Sequence, residues 1–127
     1  MAVYKWIDSL FRKKSITIFG DGSQTRDMTF VDDIIDGTIK AAEVDDIGGE
    51  IFNLASGRSV NMKYILELMI KLTSLNTKIE YENFRSDDAK DTHGNIEKAK
   101  KILGYSPKTS IEDGLRITVD WYKKKFN

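Results

Sequence analysis

The sequence predicts an α/β fold. Segments with a helical apolar period alternate along the chain with short β-branched or alternating runs. One run, "EIFNLA" at 50–55, is apolar with little alternation, as a strand covered on both faces would be. The strands on offer are too few for a complete wide sheet, so the chain reads as part of a larger α/β architecture.

The elements follow in order. Residues 2–13 place Val3, Trp6, Ile7, Leu10 and Phe11 on one helical face. "SITIF" at 15–19 is a short β-branched strand that ends at the Gly20-Asp21-Gly22 turn. After a loop, Asp32 or Asp33 is expected to cap a helix with Val31, Ile34, Ile35, Thr38 and Ala42 on one face, running to Glu43 before "DDIGG". "EIFNLA" then forms a strand and "SGRSV" a turn. Asn61 caps a helix whose buried face is Met62, Ile65, Leu66, Met69 and Leu72 or Thr73.

"TKIEYEN" at 77–83 alternates as a half-exposed strand does, and "FRSDDAKDTHG" is a polar loop. A short helix from about Asn95 to Leu103 stops at Gly104, with Pro107 barring its continuation. Ser110 and Asp113 resemble a capping box opening the last helix, with Ile111, Leu115, Thr118, Val119, Tyr122 and Phe126 as its stripe. No repeat and no low-complexity linker interrupts this order.

Composition bounds the function. At 127 residues the chain has the size of one domain. Its 20 basic and 20 acidic residues cancel, so no summed field holds nucleic acid or an anionic membrane without a local patch. Neither is expected as a partner. The absence of cysteine excludes disulfides and thiolate metal sites. With no membrane-spanning apolar run and no signal-peptide pattern, a cytoplasmic location is expected.

The stretch "GDGSQTRDMTFVDD" at 20–33 suggests a loop that receives an anion: glycines open unusual backbone conformations, and arginine offers a planar set of donors. Taken with "GGEIFNLASGRSVNM", "YENFRSDDAKDTHGNIEKAKKILGYSPKTSIEDGL" and "TVDWY", it makes nearly the whole chain resemble the C-terminal part of nucleotide-sugar epimerases and dehydratases. These are extended short-chain dehydrogenases/reductases, UDP-glucose 4-epimerase among them. The resemblance implies an N-terminal Rossmann half holding NAD(P), absent from residues 1–127, and a C-terminal substrate-binding portion. It also implies a parent reaction in which NAD oxidises the sugar at its 4-position, the keto intermediate rotates or dehydrates, and the hydride returns.

The family's glycine-rich cofactor turn and its tyrosine-lysine catalytic pair have no counterpart here. Gly20-Asp21-Gly22 continues into Ser23, Gln24 and Thr25, and no tyrosine is followed by lysine at the fourth position. The chain alone is therefore expected to carry no cofactor and no catalytic residue, with NAD belonging to the parent enzyme.

The resemblance assigns substrate contacts. Arg26 matches the loop arginine that contacts the diphosphate, Arg85 a second diphosphate arginine, and Asp88 the aspartate that meets the ribose; Gln24 and Met28 flank them. The family's proline and glycine after the second arginine are Ser86 and Asp87 here. Surface pairing of Arg26 with Asp27 or Asp32, and of Arg85 with Asp87, are the competing structural readings. The expected ligand is a nucleotide-diphosphate sugar, a UDP-sugar by the resemblance. "DDAKDTHGNIE" lacks the spacing of a calcium loop, and His93 lacks a second histidine, so no metal is expected. Asp45-Asp46 reads as a turn, Trp6 and Trp121 read as packing anchors, and the lysines of "YKKKF" finish the last helix. Unpaired strand edges and helix faces lead us to expect self-association.

Overall fold

The computed structural model describes residues 2–46 and 48–126; Ile47, within the expected break at "DDIGG", lies outside the described residues. Helix α1 spans Ala2–Phe11, strand β1 Ile16–Phe19, β2 Thr25–Asp27, α2 Val31–Glu43, β3 Ser59–Asn61, α3 Met62–Thr73, β4 Ile79–Glu82, α4 Glu97–Leu103 and α5 Ile111–Phe126. The mixed α/β class is as expected.

The strands form two small sheets. β1 pairs in parallel with β4, Ile16 opposite Ile79 and Phe19 opposite Glu82. β2 pairs antiparallel with β3, Thr25 opposite Asn61 and Asp27 opposite Ser59. One core lies between β1 and helices α1, α3 and α5, where Ile7, Leu10, Ile18, Ile65, Met69, Val119 and Tyr122 are buried. A smaller one gathers Ile96, Ala99, Leu103 and Tyr105 around α4, with Phe52, Leu54 and Ala55 packed on it.

Local chemistry explains the helix ends. Asn61 caps α3, its side chain accepting from the backbone N–H of Lys63 and Tyr64. Ser110 opens α5: its hydroxyl accepts from the Asp113 N–H at 3.0 Å and donates to the Asp113 carboxylate at 2.7 Å. Gly104 ends α4 in the left-handed conformation.

Four expectations are corrected. Helix α1 stops at Phe11 rather than residue 13, because Lys13 takes a left-handed φ of 53°. Residues 51–55 join no strand ladder among the described residues, and Ile51 is 82 % exposed; a strand exists only where another strand takes its hydrogen bonds, and none lies alongside. Helix α2 begins after Phe30, not after Asp32 or Asp33, and Asp33 is buried in its first turn. Its apolar residues Val31, Ile35 and Ile39 face outward, whereas the side toward the protein carries Asp33 and Gly37. Periodicity identifies a stripe but not what covers it.

Candidate functional site

Strand β2 organises the site. Its three residues, polar and unlike a strand in composition, are all half-buried. The bend before it depends on Gly20 and Gly22, at φ 76° and 80°, where other residues would be strained. Gln24 is buried and donates through its side-chain amide to the Phe19 carbonyl at 2.7 Å, closing the bend. The loop after β4 is then stitched to β2. Thr25 N–H donates to the Lys90 carbonyl at 3.1 Å, Thr92 N–H to the Thr25 carbonyl at 3.2 Å, and the Thr25 hydroxyl to Asp91 at 2.7 Å.

Arg26 completes the seam. Its guanidinium donates to the carbonyls of Thr25 and Lys90 at 2.8 and 3.1 Å and to the Asp88 carboxylate at 2.8 Å. The ion pair is therefore with Asp88, not with Asp27 or Asp32. The Arg26 side chain is 19 % exposed and that of Asp88 45 %, so the pair meets solvent chiefly on the aspartate's side. Arg85 does not pair with Asp87; its guanidinium stacks on the Phe19 ring, 3.8 Å from the centroid. Met28 packs against the larger core.

Asp27 points to the other side of the strand and clamps two further segments. Its Oδ1 accepts from the Ser56 N–H at 2.9 Å and the Ser56 hydroxyl at 2.6 Å, and its Oδ2 from the N–H groups of Gly57 at 3.0 Å and Gly94 at 3.1 Å. Burial works against this charge, but the hydrogen bonds from Ser56, Gly94 and Gly57 more than offset it, and the carboxyl titrates below its ordinary value. Gly94 must be glycine, since a Cβ there would collide with that of Ala55. Asp33 behaves likewise, accepting from the N–H of Lys108 at 2.9 Å and Thr109 at 3.1 Å; burial again opposes the charge and these bonds overcome it.

Two concavities flank these residues. An open cleft of about 550 Å³ lies between the Gly20-Asp21 bend and Tyr81–Phe84, next to the segment bearing Arg85. Another, of about 440 Å³, lies on the Asp27 side and is lined by Gly57, Arg58, His93 and Lys100 among others. Arg26 lines neither. The structure thus brings together Arg26, Asp88 and the Arg85 segment, and places Gln24 and Met28 as packing residues beside them. Asp27 escaped sequence reading because its partners are 29 to 67 residues away.

The turn after β1 leads into β2 and not into a helix, so it offers no helix N-terminus for a dinucleotide's pyrophosphate. Among the described residues no His, Asp and Glu side chains gather as a metal site requires.

The relatives of this chain place it in the nucleotide-sugar epimerase and dehydratase class. The profile of the GDP-mannose 4,6 dehydratase family matches residues 5–118, and the chain belongs to that family. It is 42 % identical over 125 residues to a UDP-glucuronate 4-epimerase of Thermodesulfobacterium geofontis, a match spanning 98 % of this chain and 38 % of that protein. It is 30 % identical to UDP-glucuronic acid decarboxylase 4 of Arabidopsis thaliana, over 97 % of this chain and 27 % of the other.

The fold superposes on the Bacillus cereus UDP-glucuronic acid 4-epimerase solved with UDP-glucuronic acid and NAD, with a TM-score of 0.92, 34 % identity, and 99 % of this chain against 40 % of that one. The Thermotoga maritima UDP-glucose 4-epimerase solved with UDP-glucose gives 0.92 at 31 % identity, over 100 % of this chain and 40 % of the other. The chain therefore spans about two-fifths of the length of these epimerases.

Proposed function

We propose that this chain is the nucleotide-sugar-binding portion of an NAD-dependent UDP-sugar 4-epimerase and that it grips the diphosphate of its ligand. Arg26 supplies the principal contact, for a guanidinium engages two phosphate oxygens at once in charge-assisted bonds. Arg85 lies on the loop that the β2 seam holds close and adds a second cation. Asp88, released from Arg26 by the incoming phosphate, accepts from a ribose hydroxyl. Gln24 and Met28 shape the floor beneath.

The observation that carries this reading is the Arg26–Asp88 pair, in which a carboxylate occupies an arginine as a phosphate would. The 4-epimerase assignment within the family follows the 42 % identity to the UDP-glucuronate 4-epimerase. Residues 1–127 form one binding unit, silent on their own because they offer neither a tyrosine-lysine pair nor a hydride acceptor. The outward face of α2 and the unpaired 51–55 segment support a further part of the proposal: both are covered by a cofactor-binding half, or by a second copy when that half is missing. Calorimetric titration with UDP and with NAD tests the reading. UDP binding without NAD binding is the expected result, and NAD binding in place of UDP overturns it.

A further inference from the structure

In a chain of balanced charge an anionic surface can be held only by a local patch, and folding assembles one at the ends of two helices. Helix α1 runs out into Phe11, Arg12, Lys13 and Lys14, and α5 ends in Lys123, Lys124, Lys125 and Phe126. Tyr122 joins them. Its ring stacks on Phe11 at 5.0 Å between centroids and meets Phe126 at 4.7 Å, while its hydroxyl donates to Asp8 at 2.7 Å. Asp8 is also engaged by Arg12 at 2.7 Å, and among the described residues of these closing turns Asp120 is the other side-chain carboxylate.

The same place exposes large apolar side chains. Trp121 is 46 % exposed, Phe126 44 % and Tyr4 45 %, and Ile117, one turn before Trp121, is 42 %. Trp121 is not the packing anchor its sequence context suggested. The buried stripe of α5 is Leu115, Val119 and Tyr122, and Ile117, Trp121 and Lys125 follow one another at four-residue spacing on an outward ridge. The Lys125 ammonium lies 5.0 Å from the Trp121 ring centroid and 5.6 Å from that of Phe126.

We propose that this face is a peripheral docking surface for an anionic lipid bilayer. Tryptophan, tyrosine and phenylalanine flanked by lysines match a headgroup layer: the rings sit at its depth, and the lysine stems run along apolar surface while their ammonium groups meet phosphates. No described helix is long and apolar enough to cross a membrane, so attachment is to the surface. A second copy fits poorly, because a two-fold contact through this face would set the same lysines against one another. Single-stranded nucleic acid calls for a basic groove, and neither of the two clefts flanking the nucleotide site borders α1 or α5.

Co-sedimentation of the full chain with phosphatidylcholine vesicles, with and without phosphatidylglycerol, tests this. Binding is expected only to the anionic vesicles, is lost at high salt, and weakens about tenfold or more when Lys123, Lys124 and Lys125 are all changed to Glu. Lys101→Glu, on the exposed face of α4, is the charge control and binds as the parent does; circular dichroism verifies that the triple variant is folded. Independently of any charge variant, Trp emission of the unmodified chain shifts to the blue on binding, and Trp121→Phe removes the shift because Trp6 is already buried. The proposal is overturned by equal binding to neutral vesicles, by no binding at low salt, by a folded triple variant that binds undiminished, or by binding of an oligonucleotide through these lysines with no vesicle binding.

Discussion

The Arg26 guanidinium lies 2.8 Å from the Asp88 carboxylate across 62 positions of sequence, and this contact joins the glycine-bracketed loop to the loop that follows β4. A carboxylate in that position competes with any phosphate for the same donors.

Changing Asp88 to Asn removes the competitor without removing the arginine. Inorganic pyrophosphate should bind severalfold more tightly to the variant, while UDP gains less or loses affinity because the charged acceptor for the ribose is replaced by a neutral amide. Stability should change by less than about 1 kcal/mol, as for a solvent-facing ion pair. Parallel calorimetry with the two ligands, alongside thermal melts, separates these effects.

Asp27 holds the Ser56-Gly57 turn and Gly94 through both carboxylate oxygens. Asp27→Asn replaces one acceptor by a donor that would face N–H groups, at an expected loss of about 2–3 kcal/mol in urea unfolding. The pH dependence has a definite sign. Asp27 and Asp33 both titrate lower when folded than when unfolded, so the folded state binds fewer protons. Their stabilisation is full above the unfolded carboxylate pKa and is lost as pH falls through the folded values. Urea midpoints measured across the acid range should decline less steeply for Asp27→Asn than for the parent chain.

Gly94→Ala forces a methyl group into the Ala55 side chain. Overpacking of this kind costs about 1–3 kcal/mol, and a lowered melting temperature is expected. Pairing it with Ala55→Gly, which vacates the space, should recover part of the loss.

Ile35→Glu and Ile39→Lys alter the outward side of α2, where both residues are about half exposed. Self-association in sedimentation velocity should fall, and thermal stability should stay within about 0.5 kcal/mol of the parent. A monomeric parent chain at high concentration, or a large stability loss in the variants, would contradict the role given to this face.

Much of the frame is legible in the sequence because its determinants are local. Asn61 before the Met62 helix, the Ser110-Asp113 box and Gly104 after Leu103 each act within a few residues. What is not legible depends on distant or missing partners. "EIFNLA" has the composition of a buried strand, but strand pairing is a property of two segments, and no second one is present among the described residues. Thr25–Asp27 is a strand despite its polar residues because β3 and the 90–92 loop take its hydrogen bonds. Arg26 and Asp88 stand out singly in the sequence; their contact comes from that stitching, which no spacing rule encodes.

The proposed ligand binding rests on Arg26 being poised for a pyrophosphate. Calorimetric affinity for UDP, measured on the parent chain and on Arg26→Ala, tests it most directly. Measurable binding to the parent is expected, with a loss of about tenfold to a hundredfold in the variant, the worth of a charge-assisted hydrogen bond. UDP affinity left unchanged by Arg26→Ala, or a folded parent chain with no affinity for UDP, would contradict it.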